Sequence, residues 1–477
     1  MKKIILAFIV CIILPNFAYS STNDILKAKS KVKYPESYEV EPRIDKSNNA
    51  DNLIIKGGIE HCIDVNLEDC IRLALGNNPR IQSAMQDVFA SNARVKQIWS
   101  NYFPQFSWQT GYSRIRQLQL SDVFDENLIY NYWVLGQISG SQLLYDFGVT
   151  QNQATIKNLD SLGYKIILTG TVNDVVYNVK DAYYNLQYAI EARCVAEDTV
   201  KQYTLFYDQA KAFYNAGIKP KVDVTISEVN LSNAKLMLIQ TEHAVQIAMA
   251  KLNNAIGIPY YTKYNISEKL RFDACDIKLD KAIKITEKSR PEFQLADVKV
   301  KQANQNVKLI KKSWFPQLYM QGQFEVGGSH PTSNYGYSWG AYLNFPTVNG
   351  MLLKHEIREA RSLYSREQAN AKNTKNTVYL EVQNAFYTLD EKRNKIPVAS
   401  VGLKQAKDNY ELSFNRYKVG VGSPVELRDA QVQYENSKLT YYQTLYEYNS
   451  AIANLEKSMG RNICSNEVKL DNKSNNG

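Results

Sequence analysis

The strongest constraint on the fold is that one pattern occurs twice in the same chain. Residues 67–79 run parallel to residues 279–291 at an offset of 212 positions, and further along Gly217 matches Gly420 at an offset of 203. Each copy covers about 190 residues, far more than one unit of a solenoid. The chain is therefore expected to fold as two similar halves, each with the same order of elements.

The duplication divides the chain into segments. We predict a helix, a β-hairpin, a long helix and a last helix in each copy. The predicted segments are a signal peptide at 1–20, an extended or disordered stretch at 21–66, a first repeat at 67–257 with its hairpin at about 105–146, a linker at 258–278, a second repeat at 279–460 with its hairpin at about 316–346, and a tail at 461–477.

The longest segments indicate helices of unusual length. No proline lies between Pro104 and Pro220, and from about Thr150 to Asn215 apolar residues recur at spacings of three and four. Sixty-odd helical residues extend about 100 Å, which implies assembly with other helices. The second copy repeats the pattern up to Lys418, where Pro397 is expected to kink or break the helix. By themselves these helices also fit an extended, soluble coiled coil.

The two predicted hairpins argue against a purely helical protein. Apolar and polar residues alternate there with a period of two, as from Leu318 to Val326, although the strand from Tyr132 to Tyr145 alternates less cleanly. Strands of about ten residues with one apolar face suit a membrane. All tryptophans lie in or beside these segments: Trp99, Trp108, Trp133, Trp314 and Trp339. We expect Trp108, Trp133, Tyr337 and Trp339 at the membrane interface.

Two hairpins supply four strands, which is too few to close a barrel in a membrane. Open strand edges are not tolerated in lipid, so several chains must share one barrel. A symmetric ring of identical chains is the natural solution, although the number of chains does not follow from the residues.

Composition excludes several other classes of function. The net charge of +9 is spread thinly among acids, so nucleic-acid binding is not supported. We find no catalytic constellation, no metal-ligand spacing among His61, His243, His330 and His355, and no cofactor motif. After removal of the signal peptide five cysteines remain. A disulfide among Cys62, Cys70, Cys275 and Cys464 is possible, but isolated thiols are the favoured expectation.

At this point the chain resembles the TolC-like outer-membrane efflux proteins, over about residues 67–460. The resemblance rests on the duplication, on the Pro104-Gln105 and Pro316-Gln317 junctions and on the turns at Gly217 and Gly420. It implies a membrane α+β protein in which a homotrimer forms a twelve-stranded barrel in outer-membrane lipid, continued by a helical barrel across the periplasm. It also implies a periplasmic adaptor and an inner-membrane pump or ABC transporter as partners.

The resemblance also suggests where such a duct would be gated. Glu426 and Asp429 fall where the family has its acidic constriction, and Asp223 and Tyr417 match positions of its closing contacts. The alternative is that these acids only interact with the helix dipole. Gly422 stands where some members have an arginine, so we expect part of the lock to be missing unless Lys219, Lys221 or Arg428 substitutes for it. The turn residues Gly217, Ile218, Gly420 and Val421 are the expected adaptor-docking positions.

The function expected from the sequence is a passive exit duct and not an enzyme. It would serve a tripartite efflux pump or a type I secretion system, in the outer membrane and extending into the periplasm. The alternative is a soluble periplasmic coiled-coil adaptor. That alternative leaves the clustered tryptophans and the period-two segments unexplained.

Overall fold

A computed structural model gives the fold of most of the chain. The residues that it describes are 64–117, 128–266, 268–273, 275, 277–330, 334–346, 349–419 and 421–461. The predicted signal peptide, most of the predicted 21–66 and 461–477 segments, and Gly420 lie outside the described residues. The described chain forms two compact units, one of strands and one of helices.

The helices follow the duplicated order. In the first copy they are α1 (Leu67–Asn77), α2 (Pro79–Trp99), α3 (Val149–Asn215) and α4 (Lys221–Ile256). In the second copy they are α5 (Leu279–Ser289), α6 (Pro291–Lys312), α7 (Gly350–Lys418) and α8 (Pro424–Met459). The long helices α3 and α7 have 67 and 69 residues, as their periodicity predicts. The short helices α1 and α5 are additional to the predicted plan.

The strands also repeat, as two hairpins in one sheet. They are β2 (Gln105–Gln117), β3 (Leu128–Tyr145), β5 (Gln317–Gly328) and β6 (Asn334–Asn344). Their order is β2-β3-β5-β6 and every pairing is antiparallel. Two short strands, β1 (Asp64–Val65) and β4 (Asn265–Ile266), pair in parallel in the helical unit. Part of the predicted linker is therefore hydrogen-bonded to the segment before α1.

Two irregularities in β3 explain its poor alternation. The register against β5 shifts between Val134 and Gly136, and again between Leu143 and Tyr145. A bulge of this kind adds a residue to one strand and moves the following side chains to the opposite face. A strict period of two is therefore lost in β3, although the strand stays paired on both sides.

Each copy packs its own hydrophobic core in the helical unit. In the first copy Val179, Leu186 and Leu252 are completely buried, and in the second copy Val382, Leu455 and Met459 are buried equally well. A buried ion pair joins the copies, with the Lys180 Nζ 2.5 Å from Oε2 of Glu456.

Glycine ends the last helix of each copy in the same way. Gly257 and Gly460 have φ angles of 87° and 71°, which disfavour any residue with a Cβ. A Cβ on Gly257 would lie 2.8 Å from the Cα of Asn78, and one on Gly460 would lie 2.9 Å from the carbonyl of Ser289. Both helix ends therefore press against the junction that precedes the second helix of their own copy.

The helix does not break at Pro397, and the alternative, a kink there, stays a prediction. The helix α7 continues through this residue as one element. Its neighbour Ile396 is only 6 % exposed and packs in the second core with Leu389, so packing on the N-terminal side of the proline holds the helical path. No helix among the described residues combines the length and apolar character that a membrane crossing requires.

Candidate functional site

The first candidate element is the turn between α3 and α4. Gly217 takes a φ of 71°, which lets the amides of Gly217 and Ile218 bond back to the carbonyls of Tyr214 and Phe213 at 2.9 and 3.0 Å. This is the usual glycine ending of a helix. Pro220 then precedes α4, so the chain reverses direction within five residues.

The second candidate element is the turn between α7 and α8. The amides of Val421 and Gly422 both donate to the carbonyl of Arg416 at 3.0 Å. The hydroxyl of Ser423 accepts from the amide of Val425 at 3.3 Å and caps α8. A Cβ on Gly422 would lie 2.8 Å from the amide nitrogen of Tyr417, so the turn requires glycine here. Gly420, also predicted as a docking residue, lies outside the described residues.

Four side chains join the two turns, and we call them the turn cluster: Phe213, Lys219, Asp223 and Tyr417. The ammonium group of Lys219 lies 4.7 Å from the ring centre of Tyr417 and 5.6 Å from that of Phe213. Its Nζ is 3.5 Å from the Tyr417 hydroxyl and 3.9 Å from a carboxylate oxygen of Asp223. The lysine therefore contacts both predicted closing residues, Asp223 and Tyr417, and binds one turn to the other.

The predicted acidic residues Glu426 and Asp429 take separate arginine partners. Arg416 Nε lies 3.7 Å from Glu426, and Arg428 Nη2 lies 2.8 Å from Asp429. All four side chains are exposed, so in a single chain these pairs add little stability. Asp429 also lines a groove of about 650 Å³ between α7 and α8, together with Gly402 and Leu403.

The turns expose apolar side chains. Ile218 and Val421, both predicted for docking, are 68 % and 75 % exposed, and Val419 beside them is 74 % exposed. Sequence reasoning missed Val419, Phe213 and Arg416. The signal for Phe213 was its spacing of four residues before Gly217, which places it over the turn.

A partly buried polar cluster lies behind the second turn, between α3, α7 and α8. Gln431 donates to the carboxylate of Glu435, and the ring of Tyr410 stacks on Tyr434 with centroids 5.6 Å apart. Burial raises the pKa of Glu435. Burial and the nearby Glu435 carboxylate raise the pKa of Tyr203 to about 12.

The predicted interface aromatics are exposed on the strands. Trp108, Trp339 and Tyr337 are 75 %, 74 % and 71 % exposed, while Trp133 is 40 % exposed and packs against Tyr112 with ring centroids 4.5 Å apart.

The described residues hold no group of ligands suited to a metal ion. Cys70 and Cys194 are free thiols, whereas Cys62 and Cys464 lie outside the described residues.

Comparison with known proteins decides the family. The model of the outer membrane efflux protein family matches residues 70–258 and 282–461, which covers both copies. The chain belongs to the outer membrane efflux protein family. The resemblance seen in the sequence is thereby confirmed, and the soluble adaptor is no longer a competing interpretation.

Individual relatives are distant but match along most of their length. The chain is 20 % identical to "Toxin and drug export protein A" of Aggregatibacter actinomycetemcomitans, covering 80 % of this chain and 83 % of that one. It is 21 % identical to "Cation efflux system protein CusC" of Escherichia coli K12, covering 89 % of each. The solved CmeC outer membrane channel of Campylobacter jejuni superimposes with a TM-score of 0.72 at 16 % identity, over 88 % of this chain and 93 % of that chain.

Family membership and the shared fold fix the general function. The predicted fold class and the outer-membrane localisation, with extension into the periplasm, are confirmed. Members of this outer membrane efflux family are transport conduits and not enzymes, and they act as trimers with other components of efflux pumps.

Proposed function

We propose that this outer membrane efflux protein is the passive exit duct of a tripartite efflux pump or of a type I secretion system. The observation that carries the proposal is the union of two helices of nearly 70 residues with a sheet that has one polar and one apolar face. At about 1.5 Å per residue each helix reaches about 100 Å, long enough to extend far into the periplasm. Energy for transport would come from the pump.

The two turns are the proposed gate. The closing contact in a single chain is Lys219, whose ammonium group touches Tyr417 and Asp223 at once. It supplies the cation that the family arginine, absent at Gly422, would otherwise provide. In a threefold assembly Glu426 and Asp429 would add six carboxylates near the axis, which would attract cations and repel anions.

The partner at the turns is proposed to be a periplasmic adaptor. Ile218, Val419 and Val421 are apolar side chains that water surrounds in the isolated chain, and burying them would favour association. The groove between α7 and α8, which Arg428 and Asp429 line, adds a concave surface. The inner-membrane pump or ABC transporter would then connect through the adaptor.

The gate is tested by conductance of the detergent-extracted trimer in a planar lipid bilayer. Lys219→Met/Tyr417→Phe removes the contact between the turns, so the conductance steps should grow several-fold. Lys211→Met is the matched control, because Lys211 also lies over a tyrosine ring, at 5.9 Å from Tyr207, but outside the turn cluster. If the conductance steps of the double variant are unchanged, the proposed gate is wrong, whereas the proposed duct is unaffected.

The acidic residues need their own variant. Glu426→Gln/Asp429→Asn keeps the side-chain shapes and removes the two carboxylate charges, so it should lower the preference for cations over anions. If selectivity is unchanged, the carboxylates act only on the helix dipole. If the wild-type trimer forms no channel at all, the proposed duct is wrong.

A further inference from the structure

The two faces of the sheet differ in chemistry. On one face Trp108, Ile138, Phe324 and Tyr337 form a continuous row across β2, β3, β5 and β6, because each is the register partner of the next. The next row lies on the opposite face and consists of Gln109, Gln137, Glu325 and Gly336. Since the apolar face belongs against lipid, the second face lines the interior of the barrel.

Glu325 is the only acidic residue in the sequence of these four strands. The other charged residues are Arg114 and Arg116 in β2, and Arg114 shares the alternation of Trp108 and Tyr112. The polar face therefore carries one carboxylate among amides, hydroxyls and glycines. A single charge in neutral surroundings dominates the local potential.

The carboxylate of Glu325 is held in place by neutral donors. The hydroxyl of Tyr132 donates to its Oε1, and the amide of Gln323 donates to Oε2 at 3.1 Å. Both donors lie on the same face of the sheet. On the β6 side Gly336 has no side chain, and a Cβ there would meet nothing within 4 Å. The carboxylate is thus fixed by hydrogen bonds that leave its charge uncompensated, next to open space.

We propose that Glu325 forms a cation-selecting ring in the strand region of the pore, separate from the carboxylates at the helical turns. The ligands are small inorganic cations and the cationic groups of larger solutes. The inference rests on the proposed duct, in which threefold assembly places three Glu325 carboxylates on one level of the inner wall.

The diameter of the barrel determines the salt concentration below which the Glu325 ring selects cations. Twelve strands spaced about 4.8 Å and tilted about 40° enclose a backbone circle of about 24 Å in diameter. The carboxylates then lie roughly 10 Å from the axis, which is one Debye length at about 0.1 M salt. The ring should therefore select cations strongly at low salt and hardly at all at high salt.

The test is the reversal potential of single trimers in a planar bilayer under a KCl gradient. The Glu426→Gln/Asp429→Asn protein, which lacks these two carboxylates of the second turn, is compared with the same protein carrying Glu325→Gln in addition. At about 10 mM salt the ratio of potassium to chloride permeability should fall about twofold or more in Glu325→Gln, and at about 1 M the two should agree.

Two control variants separate charge from structure. Glu325→Asp keeps the charge and should keep the selectivity. Gln321→Glu adds a carboxylate on the same face, two positions away, and should raise the preference for cations. Equal reversal potentials with and without the Glu325→Gln substitution at low salt would overturn the proposed ring.

A second measurement does not need conduction. Terbium(III) should bind the detergent-solubilised trimer beside Tyr132, whose excitation would sensitise terbium emission, and Glu325→Gln should lose this component. If Glu325→Gln lowers the terbium emission but the protein forms no channel, the duct is rejected and the cation site is kept. Channels with neither a selectivity change nor an emission difference would reject the site and keep the duct.

Discussion

Single residues at the turns show how local geometry changes an interpretation of the sequence. Gly422 is expected from the sequence to mark a missing arginine, and the structure shows that only glycine fits, because a Cβ would meet the backbone of Arg416 and Tyr417. Lys219 on the other turn lies over the ring of Tyr417 and is the cation that we propose in place of the arginine. The sequence leaves Lys219, Lys221 and Arg428 open as substitutes, and the contact with Tyr417 favours Lys219.

A second residue-scale feature is the ion pair between Lys180 and Glu456. Their side chains are only 11 % and 6 % exposed, so removal of one partner leaves a buried charge. We expect Glu456→Gln to lower the free energy of unfolding by about 3 kcal/mol or more. Thermal unfolding of the detergent-solubilised trimer, followed by circular dichroism, measures the loss.

Two comparisons check this prediction. Lys180→Met/Glu456→Leu removes both charges and should recover most of the stability. Lys301→Met breaks the exposed pair with Asp297, whose side chains are 62 % and 61 % exposed, and should have almost no effect. An equal loss in Lys301→Met would show that burial is not the cause.

At the scale of elements, the packing of α3, α7 and α8 creates a pH dependence. Burial raises the pKa of Glu435 above 4.5, so the folded protein holds this proton more tightly than the unfolded chain does. The resulting stability is present below pH 4.5 and is lost as the pH rises through the raised pKa. Glu435→Gln should therefore raise the unfolding temperature at neutral pH and flatten this part of the pH profile.

Glu447 on the same helix serves as a control of opposite sign. Burial pushes its pKa up, but hydrogen bonds from Lys392 and Gln443 outweigh that effect and hold the pKa below 4.5. The stability that Glu447 contributes to the folded protein is present above pH 4.5 and is lost as the pH falls through the lowered pKa. Glu447→Gln should destabilise the protein at neutral pH. If both variants shift the unfolding temperature in the same direction, the burial of Glu435 is not the cause.

At the scale of the whole molecule, the helices of one chain leave apolar stripes uncovered. In the helical unit α3 packs between α4 and α8, and α8 packs between α3 and α7. Exposed apolar residues follow one face of α4: Val222, Ile226, Val229, Leu236, Met237 and Ile247. A similar stripe follows α7: Leu380, Tyr387, Val398, Val401 and Leu412. Threefold assembly would pack α4 of one chain against α7 of the next.

This arrangement predicts which substitutions dissociate the trimer. Val229→Asp/Leu236→Asp places two charges in the α4 stripe, so the detergent-solubilised protein should run as a monomer in size exclusion with light scattering. Ile239 is 51 % exposed on the same helix but lies about 110° around the helix axis from the middle of the stripe, so Ile239→Asp should remain a trimer. A trimer in the double variant would place the contact elsewhere.

The sequence by itself determined the duplication, the two long helices and the alternating hairpins, because these depend on local periodicity that each segment carries alone. It also located both turns, since glycine and proline mark them directly. Only the tertiary structure decided that α7 passes through Pro397, that β3 is bulged, and that Lys219 faces Tyr417. These features depend on side chains far apart in the chain, whose packing overrides what any single segment prefers.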